Sequence, residues 1–129
     1  MPKQAIQQLV MLRKTDEFSS VFSFKKRFSS SFLVSHYSPN ALTQTRIGFV
    51  VAKKVAKLAV DRNYMRRVLR ELCKQELRAL SHIDLNHADV VIQVQKLFKN
   101  SDFLTIKQEL TNFFAKIQQK LVAERIINA

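Results

Sequence analysis

An α/β (α+β) two-layer sandwich, with helices packed on a small sheet, is the fold this sequence predicts. Three observations carry it. Segments with helical and strand-like patterning follow in the order helix, strand, strand, helix, strand, helix, which suits helices laid on a sheet. The second and third helical segments each keep one apolar stripe over about five turns, so each asks for a surface to cover. A chain of 129 residues that is 47% apolar also suits a single domain, burying about two-thirds of its unfolded surface.

Residues 1–14 are of mixed character and end in "LRK", which predicts a mobile basic lead-in. "TDEFSSVF" then reads as a short helix, with Thr15 as N-cap and Asp16 and Glu17 in the first turn, where acids suit the helix dipole. Phe18 and Phe22 are four apart and share a face. "FLVSHY" alternates and is β-rich, predicting a strand over 31–37 that "SPN" punctuates. "RIGFVVA", 46–52, reads as a second strand, and the chain's one glycine, Gly48, signals a bulge or a close backbone approach inside it.

Asp61 is placed to cap a helix over 62–80. Met65, Val68, Leu69, Leu72, Cys73 and Leu80 fall on one arc of it, and Arg62, Arg66, Arg67, Arg70, Lys74 and Arg78 largely on the neighbouring arc. "SHIDLNHA" reads as a loop and "DVVIQVQ", 89–95, as the third strand. Asn100 or Ser101 opens a last long helix with Phe103, Ile106, Leu110, Phe113, Phe114, Ile117 and Leu121 at helical spacing.

The charge pattern speaks to partners rather than to fold. Net charge is +12 with a pI near 10.3. Residues 53–78 hold nine Lys/Arg against three acids, whereas residues 79–129 hold six against five. Lys53, Lys54 and Lys57 extend the arginine arc into the preceding loop. Such localisation predicts a face that binds a polyanion. Arginine predominates on the helix, and its planar fork takes a phosphate through two parallel hydrogen bonds. Asn63 adds a neutral donor and acceptor near a helix start whose N–H groups also favour anions. The helix lies between strands rather than in a compact helical trio, so folded RNA fits better than the DNA major groove.

These blocks resemble the protein subunit of bacterial ribonuclease P: "LRKTDEFSSVF" (12–22), "RIGFVVAKKVAK" (46–57), "DRNYMRRVLRE" (61–71), and "DVVIQVQK" followed by a helix. The resemblance implies a small mixed four-stranded sheet with three helices and a left-handed crossover into the basic helix, against the usual hand. It implies a catalytic RNA as partner, which holds Mg²⁺ and performs the cleavage that removes the 5′ leader of precursor tRNA. Residue by residue, Arg62, Asn63, Arg66, Arg67 and Arg70 match the family's RNA-binding motif, Lys53 and Lys54 its Lys-Lys pair, and Lys57 extends that patch. Phe18 and Phe22 match the aromatics lining the cleft for the single-stranded leader, with Arg13 and Lys14 beside them. Tyr64 stands where the family usually has a third cation, and Ala56 where many members have glycine. Which side chains of 31–37 face the cleft stays open.

The residues give no catalytic constellation. The ten acids are scattered, and His82 and His87 lie in the expected loop without cysteine beside them, so no protein-held metal is expected. One cysteine, Cys73, excludes an internal disulfide and reads as a small buried hydrophobe. No apolar run is long enough to span a bilayer and the start does not read as a signal peptide, so the expectation is cytoplasmic, without a membrane or an obligatory protein oligomer. A structural RNA-binding protein of similar fold and a protein-only nuclease are the alternatives.

Overall fold

The computed structural model describes residues 9–40, 42, 44–79 and 87–128, with side chains of the last helix to Ala123. In chain order the elements are β1 (Val10–Met11), α1 (Thr15–Phe24), β2 (Lys26–Ser29), β3 (Leu33–Pro39), β4 (Arg46–Val50), α2 (Ala59–Ala79), β5 (Ala88–Val94), a 3₁₀ turn (Asn100–Asp102) and α3 (Phe103–Asn128). The strands form one mixed sheet in the order β1-β4-β5-β3-β2. β1–β4 and β4–β5 are parallel, whereas β3–β5 and β2–β3 are antiparallel.

The sheet has five strands where the residues predict three and the resemblance four. Both unforeseen strands form an edge, and each is ordered by a neighbour rather than by its own composition. β2 is "KRFS", with no apolar alternation to announce it, and it pairs from Lys26↔Tyr37 to Ser29↔Val34. β1 is two residues long, and the Leu12 N–H donates to the Ile47 carbonyl at 2.8 Å. Residues 9–14, expected as part of a mobile lead-in, are thus built into the fold, and Leu12 is buried. Residues 1–8 lie outside the described residues.

The two-layer expectation is also corrected, because helices lie on both faces. Strand alternation sends Leu33, Tyr37, Ile47, Val90, Ile92 and Val94 to one face. There they meet Met65, Leu69, Leu72 and Cys73 of α2 and Ile106, Leu110, Phe113, Phe114, Ile117 and Leu121 of α3. Val91, Leu12, Val50 and the α1 residues Phe18 and Val21 form a smaller cluster on the other face. The apolar stripes therefore bury as predicted, with Val68 half-buried and Phe103 exposed as the exceptions. Leu80 and most of the loop at 81–88, including His82, fall outside the described residues.

Element ends moved for local reasons. Lys14, not Thr15, is the N-cap of α1, and Glu17 does the capping: its Oε1 accepts from the Arg13 and Lys14 N–H groups at 2.7 and 3.0 Å. α2 opens at Ala59, so Asp61 lies inside the first turn, and the Leu58 carbonyl takes the Asp61 and Arg62 N–H groups. Asp61 serves the dipole rather than a cap. β3 continues through the expected punctuation to pair Pro39 with Ala88, and β4 stops at Val50 rather than 52. Buried Glu109 of α3 pins the β2–β3 turn, accepting from Ser30 Oγ and, at 3.2 Å, from the Phe32 N–H.

Gly48 is where the backbone approach is close. A Cβ built on it would lie 2.5 Å from Phe18 Cε1 and 3.2 Å from Leu12 Cδ1. Gly48→Ala is therefore expected to lower stability by about 1–3 kcal/mol, since Phe18 must shift or leave its rotamer. Denaturant unfolding of the variant, with an unchanged midpoint as the contrary result, checks it.

Candidate nucleic-acid interface

The basic face begins where β4 ends. Val51 and Ala56 are buried and anchor a turn closed by the Val55 N–H on the Ala52 carbonyl at 3.0 Å. Lys53, Lys54 and Lys57 are consequently exposed. Ala56 does not take the left-handed conformation; among the described non-glycine residues only Lys25 has positive φ. The turn thus needs no glycine at that place.

α2 then presents its two arcs. Because Met65, Leu69, Leu72 and Cys73 are buried, the neighbouring arc must face outward, and Asn63, Arg67 and Arg70 are exposed with Arg66 partly so. Among the described residues Arg66, Arg67 and Arg70 make no ion pair. Arg66 makes a long hydrogen bond to Asn63 Oδ1 at 3.4 Å, and the Arg67 guanidinium sits 5.8 Å from the Tyr64 ring centroid. Lys74 is partnered by Glu71 at 4.0 Å. Unneutralised cations on one helix flank raise a local positive potential, which a polyanion relieves.

Arg62 differs from its neighbours. It borders the apolar arc, is half-buried, and its Nη1 donates to the Ala56 and Lys57 carbonyls at 2.8 and 2.9 Å. It fastens the lysine turn to the helix and fixes the spacing between Lys53, Lys54 and the arginines, while Nε and Nη2 take no partner among the described residues. Tyr64 does not belong to the outward basic arc. Its ring packs edge-on against Phe98 at 6.2 Å and its O–H donates to Asn100 Oδ1 at 3.3 Å, so it docks the segment before α3.

On the opposite sheet face, α1 steps across the strands. Phe18 lies on Gly48 of β4, Val21 packs with Val91 of β5, and the Phe22 ring meets His36 of β3 edge-on at 4.6 Å. Register places Gly48, Val91, His36 and Arg27 in one cross-strand row, and Val50, Gln93, Val34 and Ser29 in the next, toward the Lys53–Lys54 turn. That second row is the floor of a groove bounded by the aromatic edge of α1. Phe18 is half-buried and Phe22 38% exposed, so both help hold α1 down while Phe22 keeps a usable face. Arg13 and Lys14 are exposed at the start of the same helix.

Sequence reasoning missed Gln93, half-buried in that row, and His36, buried beneath Phe22 as its support. His36 Nε2 lies 2.9 Å from Gln93 Oε1, which orients the imidazole beneath Phe22. The alternation of 31–37 held the signal, but its phase needed the pairing of His36 with Arg27 and Val91.

A charge network fixes α1 to the sheet. Arg46 of β4 grips Asp89 with Nε at 2.8 Å and Nη2 at 2.7 Å, and its Nη1 reaches Glu17 at 3.0 Å. Asn40 Nδ2 donates to the same Asp89 at 2.8 Å. The Arg13 N–H first, then that of Lys14, with help from Arg46, holds the Glu17 carboxyl below its ordinary range. The hydrogen bond to Asp89 chiefly raises the Arg46 guanidinium. Burial pushes the Cys73 thiol well up, which removes it from nucleophilic chemistry at neutral pH. Among the described residues no three His, Cys, Asp or Glu side chains are grouped to hold a metal, and His87 Nδ1 lies 3.4 Å from Thr45 Oγ1. No helix among the described residues is long and apolar enough to cross a membrane.

The assembled surface is a basic flank on α2 and an aromatic groove under α1, and known proteins share both the sequence and the frame. The family model described as Ribonuclease P matches residues 6–118. The ribonuclease P protein component of Aromatoleum aromaticum is 38% identical over 108 residues, 84% of this chain and 87% of that protein. The protein of the same name from Chromobacterium violaceum is 40% identical over 106 residues, 82% and 84% respectively. Among solved structures, the RNase P protein of Staphylococcus aureus shares the fold with a TM-score of 0.69 at 20% identity, covering 86% of this chain and 97% of that one. That of Thermotoga maritima gives 0.65 at 26% identity, covering 79% and 92%. The chain belongs to the bacterial ribonuclease P protein family.

Proposed function

We propose that this chain acts in the cytoplasm as the protein subunit of ribonuclease P, a single RNA-binding domain assisting endonucleolytic removal of the 5′ leader of precursor tRNA. The observation that carries this reading is the flank of α2 on which Arg66, Arg67 and Arg70 stand outward, without an ion pair among the described residues, beside Lys53, Lys54 and Lys57. Its partner is the catalytic RNA, met by those cations and Asn63, with Arg62 holding the turn and offering its remaining donors. Phosphate charge is matched by position, and the forked guanidinium groups give direction. The same reading takes the β4–α2–β5 connection as left-handed. Ile47 turns its carbonyl to β1 and its side chain to the α2 face, which for an L-residue puts β5 to the left of β4 seen from the helices.

The leader of the precursor lies in the groove, its unpaired bases stacking on Phe22 and the exposed part of Phe18, with Arg13 and Lys14 near its phosphates. Aromatic stacking tolerates any base, which suits leaders of varied sequence. The chemistry belongs to the RNA with its Mg²⁺. Among the described residues no three His, Cys, Asp or Glu side chains are grouped for such an ion; Asp89 and Glu17 are committed to Arg46, and Glu109 to the Ser30–Phe32 turn. The protein's part is to concentrate and orient RNA.

Adding the protein to cognate catalytic RNA at low Mg²⁺ is expected to stimulate precursor cleavage; absence of stimulation would sink the reading. With about six phosphate contacts, affinity for the RNA should fall by roughly 10³-fold between 50 and 200 mM salt if the duplex relation carries over, a slope that filter binding measures.

Arg62→Ala should weaken binding of the catalytic RNA by about 10-fold or more, because it frees two carbonyls and unfastens the lysine turn. Lys74→Ala should cost under about threefold, since Lys74 already faces Glu71 in an exposed pair. Equal losses for the two would contradict the positioning role of Arg62.

Phe22→Ala should reduce the preference for precursor over mature tRNA by about 5- to 100-fold, the worth of one stacked base, and leave catalytic-RNA affinity unchanged. Titrating both tRNAs against the reconstituted complex separates these effects.

A further inference from the structure

The β2 edge carries a second concentration of charge. Lys25, Lys26 and Arg27 are consecutive and exposed, and none has an ion-pair partner among the described residues. Residues 18–60 contain no Asp or Glu, so nothing in β2, β3, β4 or the later part of α1 neutralises them. Across the edge, Lys116 of α3 adds its ammonium 5.6 Å from the Phe28 ring.

Lys25 also sits in the left-handed region, at φ 61° and ψ 27°, where it ends α1 with its N–H on the Phe22 carbonyl at 3.2 Å. That seat favours glycine and strains a side-chain-bearing residue by about 1–2 kcal/mol. A cation stands there despite the strain. Phe24, next to it, is 40% exposed, and Arg27 lies across from His36 in the row beneath Phe22. Strand alternation leaves Arg27 on the groove face and turns Lys26, opposite Tyr37, to the other face, where Phe24 lies 6.4 Å from the Tyr37 ring and Lys116 stands over Phe28. The bank therefore meets the groove at Arg27, at its end farther from β4, and wraps around the β2 edge.

We propose that Lys25, Lys26 and Arg27 form a second phosphate-binding bank that takes single-stranded RNA leaving the groove, with Phe24 as a stacking face. In precursor tRNA this strand is the upstream part of a long leader, so the proposal rests on the leader occupying the groove. Its consequence is a dependence on leader length: a leader confined to the groove does not reach the bank, and a longer one does. Edge lysines also deter pairing with a foreign strand, but that role alone predicts no dependence on RNA length.

The experiment compares reconstituted complexes containing wild-type protein, Lys25→Gln/Lys26→Gln, or the equal-charge control Lys99→Gln/Lys107→Gln. Each is titrated with mature tRNA and with precursors bearing leaders of about 4 and about 12 nucleotides. The first variant should bind the long-leader precursor about 5- to 10-fold more weakly. Its log–log salt slope should fall by about 1.4, the worth of two single-strand phosphate contacts. Short-leader and mature tRNA binding should match wild type, and the control should match wild type throughout. Lys25→Gly should weaken long-leader binding while raising the unfolding midpoint, since it removes a charge and relieves the backbone together.

An equal loss for all three RNAs would overturn the proposal, as would no loss for any, including the case where the variant merely self-associates. If wild type itself shows no preference for either precursor over mature tRNA, the groove reading fails, and this proposal with it. That result is distinct from failure of the bank alone, in which the short-leader preference persists.

Discussion

Burial of one arc of α2 is the constraint on which the rest depends. Met65, Leu69, Leu72 and Cys73 are sealed against the sheet and α3, so the helix has no rotational freedom about its axis. A turn of one residue position, about 100°, would drive Arg66 or Arg62 into the apolar interior, where an unpaired charge costs several kcal/mol. The direction of every outward arginine is therefore set by apolar packing on the other side. Arg62, at the boundary between arcs, converts this into placement of the preceding turn, because its guanidinium holds carbonyls that the apolar arc cannot reach.

The second helix position is fixed by different physics. α1 is short and buries only Val21 fully, with Phe18 in support. Ten residues with one buried apolar side chain make a weak case for packing alone. The Arg46–Asp89–Glu17 network supplies the missing specificity at one end of α1, and the contact of Phe18 with Gly48 supplies it one turn later. Charge and close approach thus do on this face what apolar area does on the other. Glu17 serves both purposes, since the carboxylate that caps α1 also receives Arg46.

What the sequence announced and what it concealed divide along the same line. The stripes of α2 and α3 were legible because burial on one side imposes a period that survives in the residues themselves. The same holds for β3, β4 and β5, whose apolar runs fill the core. β1 and β2 were not legible: "VM" is too short to show a period, and "KRFS" has a single apolar residue, Phe28, among exposed polar ones, so no alternation shows. Their formation depends on partners 36 and 5–11 residues away in register. Asp61 looked like a cap and Thr15 like another, but α2 opens two residues before Asp61, and α1 is capped through Glu17. The cations of α2 were visible as a cluster. That Arg62 and Tyr64 turn inward to hold neighbouring segments follows from tertiary contacts with Ala56, Lys57, Phe98 and Asn100, which periodicity does not encode.

The groove itself follows from dimensions. A strand of seven residues such as β3 or β5 is about 23 Å long, and a helix lying across it covers about 10 Å. One crossing helix therefore leaves much of that face open along the strands. Across the strands, ten residues of α1 extend about 15 Å, enough for β4, β5 and β3 but short of the outer strand when strands repeat every 4.8 Å or so. An open sheet face normally invites association when it is apolar. Here the positions left open are Gln93, Arg27 and Ser29, while Val34 and His36 are buried, and the acids nearby are withdrawn into the Arg46 network. The result is a polar, cation-bordered trough with aromatic walls, produced by a helix too short and too narrow to close the face it packs on.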